Sequence, residues 1–142
     1  MSVSIVVFLH SAKLPTPSDW AEAIRTQGFD MQLDSDFDPR TKSGFLPCQY
    51  ASTVAGFEYY FGEAADTEPG DAAMQRIGDR DAAVSLVTHS EMRGLVTSVI
   101  AASVLCSLSD GLLWDTEADE LVPASGALGW AREMEAQLVR EL

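Results

Sequence analysis

The segment that decides the fold is residues 29–61, FDMQLDSDFDPRTKSGFLPCQYASTVAGFEYYF. From Phe29 to Asp38, apolar and polar residues alternate with the period of two that is typical of a half-buried strand. A turn over residues 39–44 follows, and then two further strand candidates, Phe45 to Tyr50 and Gly56 to Phe61. Three strands in succession without a helix between them favour a mainly antiparallel sheet over a doubly wound parallel one.

The flanking sequence adds helices and buried strands on both sides of this segment. The predicted elements are a strand over Ser2 to Leu9, a helix from the cap Ser18 to Gly28, a strand over Ala82 to Thr88, a helix over Ser90 to Leu108 with Thr88 and Glu91 as its capping box, strands over Leu112 to Trp114 and Glu120 to Val122, and a helix over Ser125 to Leu142. Residues 62–81 are predicted to be a loop with one short helix. The order predicts an α+β fold with helices packed on the sheet, and specifically a ferredoxin-like core with additions. No linker divides the sequence, so residues 1–142 are predicted to form a single domain.

Composition narrows the classes of partner. The 142 residues are 46% hydrophobic and 22% charged, as expected for a globular chain. Twenty-two acidic residues against nine Lys and Arg give a formal charge of -13 and a pI near 4.2. This charge repels phosphate backbones and anionic lipids, so nucleic acid and membrane are not expected partners, whereas a basic protein is attracted. The alternative is that acidity serves solubility alone.

The cysteines and the N-terminal segment predict a soluble cytoplasmic protein. Cys48 and Cys106 lie in apolar surroundings that are typical of core thiols and not of a disulfide framework. The N-terminal apolar run lacks the basic residues of a signal peptide, so it is interpreted as a first strand. The apolar stretch from Gly94 to Leu108 is too short, and too rich in Ser and Thr, to predict a membrane span.

The DxDxD run at residues 34–38 has the spacing with which a calcium loop opens, but it fails the other requirements of that motif. Pro39 takes the sixth position, where the loop needs Gly, and Phe45 takes the twelfth, where it needs Glu. No P-loop, GxGxxG or GxSxG motif is present, so neither a metal nor another cofactor is predicted. The carboxylates of this run, together with Asp30 before it, are instead predicted to form an acidic strand face that contacts a partner; the set is Asp30, Asp34, Asp36 and Asp38.

The two histidines occupy similar positions, each at the carboxyl end of a buried strand and next to a helix start. In a ferredoxin-like core these strands are adjacent and parallel, which would bring His10 and His89 together at one sheet end. With Glu91 they would form a candidate site for proton transfer. The alternative is that both imidazoles close strand ends by hydrogen bonding to neighbouring loops.

A small acidic α+β domain without a catalytic signature resembles the immunity proteins of bacterial toxin systems, and GLLWDTEADELVP (residues 111–123) is similar to a pattern in small uncharacterised bacterial domains. The resemblance implies a protein that neutralises a basic effector by direct binding. The strand aspartates and the acidic residues Asp115, Glu117, Asp119 and Glu120 would steer this partner. Tyr59 or Tyr60 would anchor it. The alternatives are a small enzyme or ligand-binding protein centred on His10 and His89, and a homo-oligomer that pairs through an edge strand or the last helix.

Overall fold

Seven strands form one sheet in the computed structural model, which describes residues 2–142. In chain order the elements are β1 (Val3–Leu9), α1 (Pro17–Thr26), β2 (Met31–Leu33), β3 (Ser43–Tyr50), β4 (Thr53–Glu63), α2 (Asp71–Ile77), β5 (Ala82–Thr88), α3 (Met92–Ser109), β6 (Leu112–Asp115), β7 (Glu120–Pro123) and α4 (Ala124–Val139), with 3-10 turns at Ser11–Lys13 and Ala64–Thr67. The strand order is β2-β3-β4-β5-β1-β6-β7, and every neighbouring pair is antiparallel. The predicted α+β class, with helices packed on an antiparallel sheet, is confirmed.

The pairing of β1 with β5 differs from the one that a ferredoxin-like core requires. The two strands are neighbours, but they run antiparallel, with Val3 opposite Thr88 and Leu9 opposite Ala82. After β5, the helix α3 carries the chain over to β6, and β1 lies between β5 and β6, antiparallel to both. The hydrophobic pattern predicts that β1 and β5 are both buried, but this pattern is the same for either direction of pairing.

The long alternating strand predicted over residues 29–38 is wrong, because β2 covers only Met31–Leu33. Beyond it, Oδ1 of Asp34 accepts a hydrogen bond from the backbone N–H of Asp36 at 3.0 Å, and Oδ1 of Asp38 accepts one from that of Arg40 at 2.9 Å. Such local side-chain hydrogen bonds offer the backbone an alternative to the sheet ladder. The predicted acidic strand face is therefore an exposed loop.

The helix starts also differ from prediction. Thr16, and not Ser18, caps α1 by accepting a hydrogen bond from the backbone N–H of Asp19 at 3.1 Å. Glu91 is itself the N-cap of α3, and its carboxylate accepts hydrogen bonds from two backbone N–H groups of the first turn. The hydroxyl of Thr88, which was expected to complete the capping box, is buried without a hydrogen-bond partner.

One face of the sheet is covered by α1, α3 and α4, and the main core lies between these layers. The central helix α3 packs fully buried Val96, Val99 and Ile100 against the sheet. By length and composition α3 would pass as a membrane span, but 72% of it is buried inside the fold, as is typical of the core helix of a soluble protein. The helix α3 is apolar all round because it is in contact with the rest of the fold on nearly all sides.

The other face is covered only at one end. There the turn residue Ala64 and the α2 residue Ile77 pack on Phe8, Ala83 and Leu112. We call the remaining, uncovered part the open face; its side chains include Ser4, Phe45, Val54, Glu58, Tyr60, Ser85 and Trp114. A half-covered antiparallel sheet usually shows polar residues to solvent, so apolar groups on the open face call for an explanation.

Candidate docking face

Large apolar side chains are exposed along the β3–β4 pair of the open face. Val54 is 74% exposed, Phe45 57% and Tyr60 36%. The Phe45 ring lies over Gly56, where an added Cβ would approach the ring Cζ to 2.5 Å. The absent side chain of Gly56 therefore lets the ring lie against the sheet, which holds it in place. Exposed apolar groups on one uncovered surface are typical of an interaction site.

A polar cluster borders these apolar groups and holds Tyr60 in place. The Tyr60 hydroxyl donates a hydrogen bond to Oε1 of Glu58, and Nε2 of His89 pairs with Oε2 of the same carboxylate. Both contacts hold the pKa of Glu58 below its ordinary value, and the hydrogen bond from Tyr60 has a larger effect than the one with His89. The same hydrogen bond raises the pKa of Tyr60. The ring is thus presented to solvent in a defined orientation.

The structure separates the two histidines. Because β1 and β5 are antiparallel, His10 follows β1 at one sheet end and His89 follows β5 at the other; the seven residue pairs between them span about 20 Å. His10 lies 3.4 Å from Asp79 by its Nε2 atom. Glu91 caps α3 and pairs with neither imidazole. The predicted joint site of His10, His89 and Glu91 is wrong, since proton transfer needs direct or single-water contact.

The sheet end next to His10 carries a second structured carboxylate. Asp81 accepts hydrogen bonds from the Ser11 hydroxyl at 2.7 Å and from the Ser11 backbone N–H at 2.8 Å. These two donors, the hydroxyl first, hold the pKa of Asp81 below its ordinary value. They tie the end of β1 to the start of β5, which is a structural role.

The two carboxylates make matched tests of these assignments. The ordinary pKa is 4.5 for the Glu58 carboxyl and 3.8 for the Asp81 carboxyl, and in the fold the pKa of each lies below that value. Each carboxylate therefore stabilises the fold at pH values above its ordinary pKa, and this contribution is lost as the pH falls through the folded-state pKa. Tyr60→Phe is expected to raise the pKa of Glu58 and leave that of Asp81 unchanged. Ser11→Ala is expected to do the reverse. NMR titration of the side-chain carboxyl carbons measures both, and a variant that moved both values or neither would contradict the pairings.

Of the two predicted tyrosine anchors, only Tyr60 is available to a partner. Tyr59 is fully buried, and its ring packs against Trp20 and Phe37 with centroid distances of 6.2 and 5.4 Å. Its hydroxyl donates a hydrogen bond to the carbonyl of Pro39 at 2.7 Å, and burial raises its pKa. The prediction of Tyr59 as an interface anchor is wrong, because adjacent strand residues point to opposite faces.

The predicted acidic residues are mostly accessible. Asp30, Asp34, Asp36 and Asp38 are exposed, and Asp34 lines a cleft of about 300 Å³ together with Val54 of the open face. Of the acidic residues next to β6 and β7, Glu117, Asp119 and Glu120 are exposed. Asp115 is buried and accepts a hydrogen bond from the backbone N–H of Glu117.

Most of the negative charge is not neutralised within the fold. Among residues 2–142 only two ion pairs involve Lys or Arg, namely Lys13 with Asp110 and Arg25 with Glu22. Within the same residues, no group of three or more His, Cys, Asp or Glu side chains is arranged to hold a metal ion. The cysteines are buried, which raises the pKa of Cys48 to about 11 and that of Cys106 to about 12. A thiolate nucleophile is therefore disfavoured.

Sequence reasoning missed Phe45, Val54 and Trp114 as surface residues of one face. The signal for Phe45 was present, because it alternates with Leu46, which is buried. Whether the face opposite Leu46 meets a helix or solvent depends on the other layers of the fold, which the pattern does not encode.

The chain was compared with family models, curated proteins and solved structures. No family model, curated protein or solved structure matches it. The function must then be inferred from the surface features described above.

Proposed function

We propose that this chain is a cytoplasmic binding protein that docks a basic protein partner on its open face, in the manner of immunity or inhibitor proteins. The observation that carries the proposal is the set of exposed apolar side chains on the uncovered part of the sheet, Phe45, Val54 and Tyr60. Apolar anchors at the centre of a polar rim provide most of the affinity in protein interfaces.

The charge of the chain favours a basic protein over nucleic acid or a second copy of the chain as the partner on the open face. At -13 the surface repels nucleic acid and also repels a second copy of itself, which disfavours a homo-oligomer. A cationic protein is attracted by the same field, and its association is accelerated. The exposed acidic loop at residues 34–38 borders the open face, since Asp34 and Val54 line the same cleft, so steering and docking act at adjoining surfaces.

The proposal is tested by removing the apolar groups of the open face. The double variant Phe45→Ser/Val54→Ser is expected to weaken partner binding by about 30-fold or more, which corresponds to one hot spot. The matched control is Met74→Ser/Val139→Ser, since both side chains are exposed apolar groups outside the open face. Capture from the native host, followed by mass spectrometry and titration calorimetry, measures the effect.

The supporting result is a protein with a pI above about 9 that binds the wild-type chain and the control but not the open-face variant. An acidic or neutral partner, equal loss in both variants, or no partner at all would overturn the proposal.

Asn in place of Asp30, Asp34, Asp36 and Asp38 keeps an oxygen that accepts the turn hydrogen bonds, so the loop is retained while its charge is removed. This fourfold variant is expected to slow association and flatten its salt dependence; an unchanged association rate would contradict the steering role.

A further inference from the structure

A cleft of about 420 Å³ crosses the open face between β4 and β6. Its floor consists of side chains of the two strands in between, Ser4 and Val6 of β1 with Ala83 and Ser85 of β5. Its two sides carry aromatic rings, Tyr60 from β4 and Trp114 from β6. Because the two flanking rings are larger than the side chains between them, they form a trough that begins beside the end of the sheet covered by Ala64 and Ile77.

Both aromatic sides are held by contacts within the chain. The Trp114 ring stacks on Phe8 with a centroid distance of 6.2 Å and an interplanar angle of 20°, and its Nε1–H donates a hydrogen bond to Asp119 at 3.1 Å. The Tyr60 hydroxyl donates to Glu58. Because the rings are positioned before a ligand arrives, binding would cost little side-chain entropy.

The chemistry of the cleft favours a cation. The acidic residue Asp66 lines it, and no Lys, Arg or His is among the described residues that line it. Aromatic faces attract guanidinium and ammonium groups, most strongly when the contact is shielded from water. Hydroxyl groups from Ser4 and Ser85 add acceptors for the N–H groups of such a cation.

The width of the cleft matches a helix. Two strands, β5 and β1, separate β4 from β6, so three inter-strand steps place the backbones that carry the two rings about 14 Å apart. An α-helix with its side chains is about 10–12 Å across. On the opposite face the sheet already packs the chain's own α3. A helix in the cleft would complete a second helical layer.

We propose that this cleft receives a helix of the partner and that arginine or lysine side chains of this helix contact Tyr60, Trp114 and the carboxylate of Asp66. The inference rests on the proposed function, the docking of a basic protein on the open face, and adds the element that docks and the place where it lies. A second copy of this chain is disfavoured as the occupant by its charge of -13.

The test uses the whole chain and a synthetic helical peptide of about five turns, with Leu and Ala on one side and Arg on the flanks. A peptide with Glu in place of Arg is the charge control, and agmatine is the small-cation control. Indole N–H resonances report the site, because Trp114 lines the cleft whereas Trp20 is buried under α3 and donates its Nε1–H to Ala101 at 3.0 Å. The Arg peptide is expected to shift the Trp114 resonance and leave that of Trp20 in place.

Two variants make the test specific. Ser85→Arg places a cation on the floor of the cleft. It is expected to lower the affinity for the Arg peptide by about tenfold or more, one unit of log affinity. Ser125→Arg adds the same charge on α4, across the sheet, where Ser125 is exposed, and is expected to change the affinity by less than about twofold, a few tenths of a kcal/mol.

The outcomes separate this inference from the proposed function. If the peptide shifts NMR resonances of β3 and β4 around Phe45 and Val54 but not that of Trp114, the cleft assignment is overturned and docking on the open face is left intact. Agmatine that shifts Trp114 as strongly as the peptide would assign the cleft to small cations and overturn the helix. Equal binding of the Arg and Glu peptides would overturn the role of charge, and no shift on the open face with either peptide would count against both proposals.

Discussion

Replacing Tyr59 with alanine is expected to lower the free energy of unfolding by about 3–5 kcal/mol, the cost of deleting a large buried ring. Tyr59 is fully buried, packs against Trp20 and Phe37, and holds the loop before β3 through its hydrogen bond to the Pro39 carbonyl. Urea denaturation followed by circular dichroism measures the loss. Tyr59→Phe keeps the ring and is expected to cost about 1 kcal/mol, the contribution of one hydrogen bond.

The matched control for Tyr59→Ala is the same substitution at the next residue. Tyr60 points to the opposite face and is 36% exposed, so Tyr60→Ala is expected to cost less than about 1 kcal/mol of stability, as surface substitutions do. Partner binding should respond in the opposite order, with a large loss for Tyr60→Ala and none for Tyr59→Phe. A stable Tyr59→Ala variant with weakened binding would contradict the assignment of the two faces.

Replacing Gly94 with alanine is expected to destabilise the fold by about 1–3 kcal/mol, the range for overpacking. A Cβ at Gly94 would lie 2.7 Å from the backbone carbonyl oxygen of Gly56, so α3 and β4 would have to move apart. This contact lies between two main chains, and no side-chain rotation relieves it. The expected loss exceeds the gain in helix propensity of about 1 kcal/mol that alanine brings. Thermal and urea unfolding of the purified variant measure it.

Gly129 is the matched control, since it also lies within a helix but has no atom within 4 Å of an added Cβ. Gly129→Ala is therefore expected to raise the free energy of unfolding by about 0.5–1 kcal/mol. Opposite signs for the two glycine variants would establish that the approach of α3 to β4 is set by the missing Cβ. Equal stabilisation in both would contradict it.

The close approach of α3 also bears on function. Gly56 carries the Phe45 ring on its open-face side, and its carbonyl oxygen faces Gly94 of α3 on the other. The position of the exposed ring is thus coupled through one strand to the packing of the core helix. We expect that Gly94→Ala weakens partner binding as well as stability, whereas Gly129→Ala leaves binding unchanged.

Local patterns predicted most of the elements because their physical causes are local. The strand Ala82–Thr88 covers the predicted residues, and α3 begins and ends within one or two residues of its predicted ends. Both segments are apolar runs, which have to be buried whether they form a strand or a helix. Residues 62–81 do contain a short helix, α2. The stretch at residues 34–38 was predicted wrongly, since its alternation matches a strand while its Asp side chains bind the backbone of their own turn.

Strand partners and the uncovered face depend on contacts distant in sequence. β1 and β5 have the same apolar pattern whether they pair parallel or antiparallel, and this one choice places His10 and His89 at opposite ends of the sheet. The pairing of Glu58 with His89, and the cleft between Tyr60 and Trp114, likewise need the register of several strands.

Periodicity and composition were sufficient to predict the α+β class, the burial of α3 and the excess of negative charge, because they act through local geometry and simple sums. Which side of the sheet the helices cover depends on the tertiary structure. The open face exists because α1, α3 and α4 all pack on one side, while the other side receives only α2 and one 3-10 turn. That choice follows from the order in which strands and crossovers close the sheet, which a pattern of buried and exposed residues along the chain leaves open.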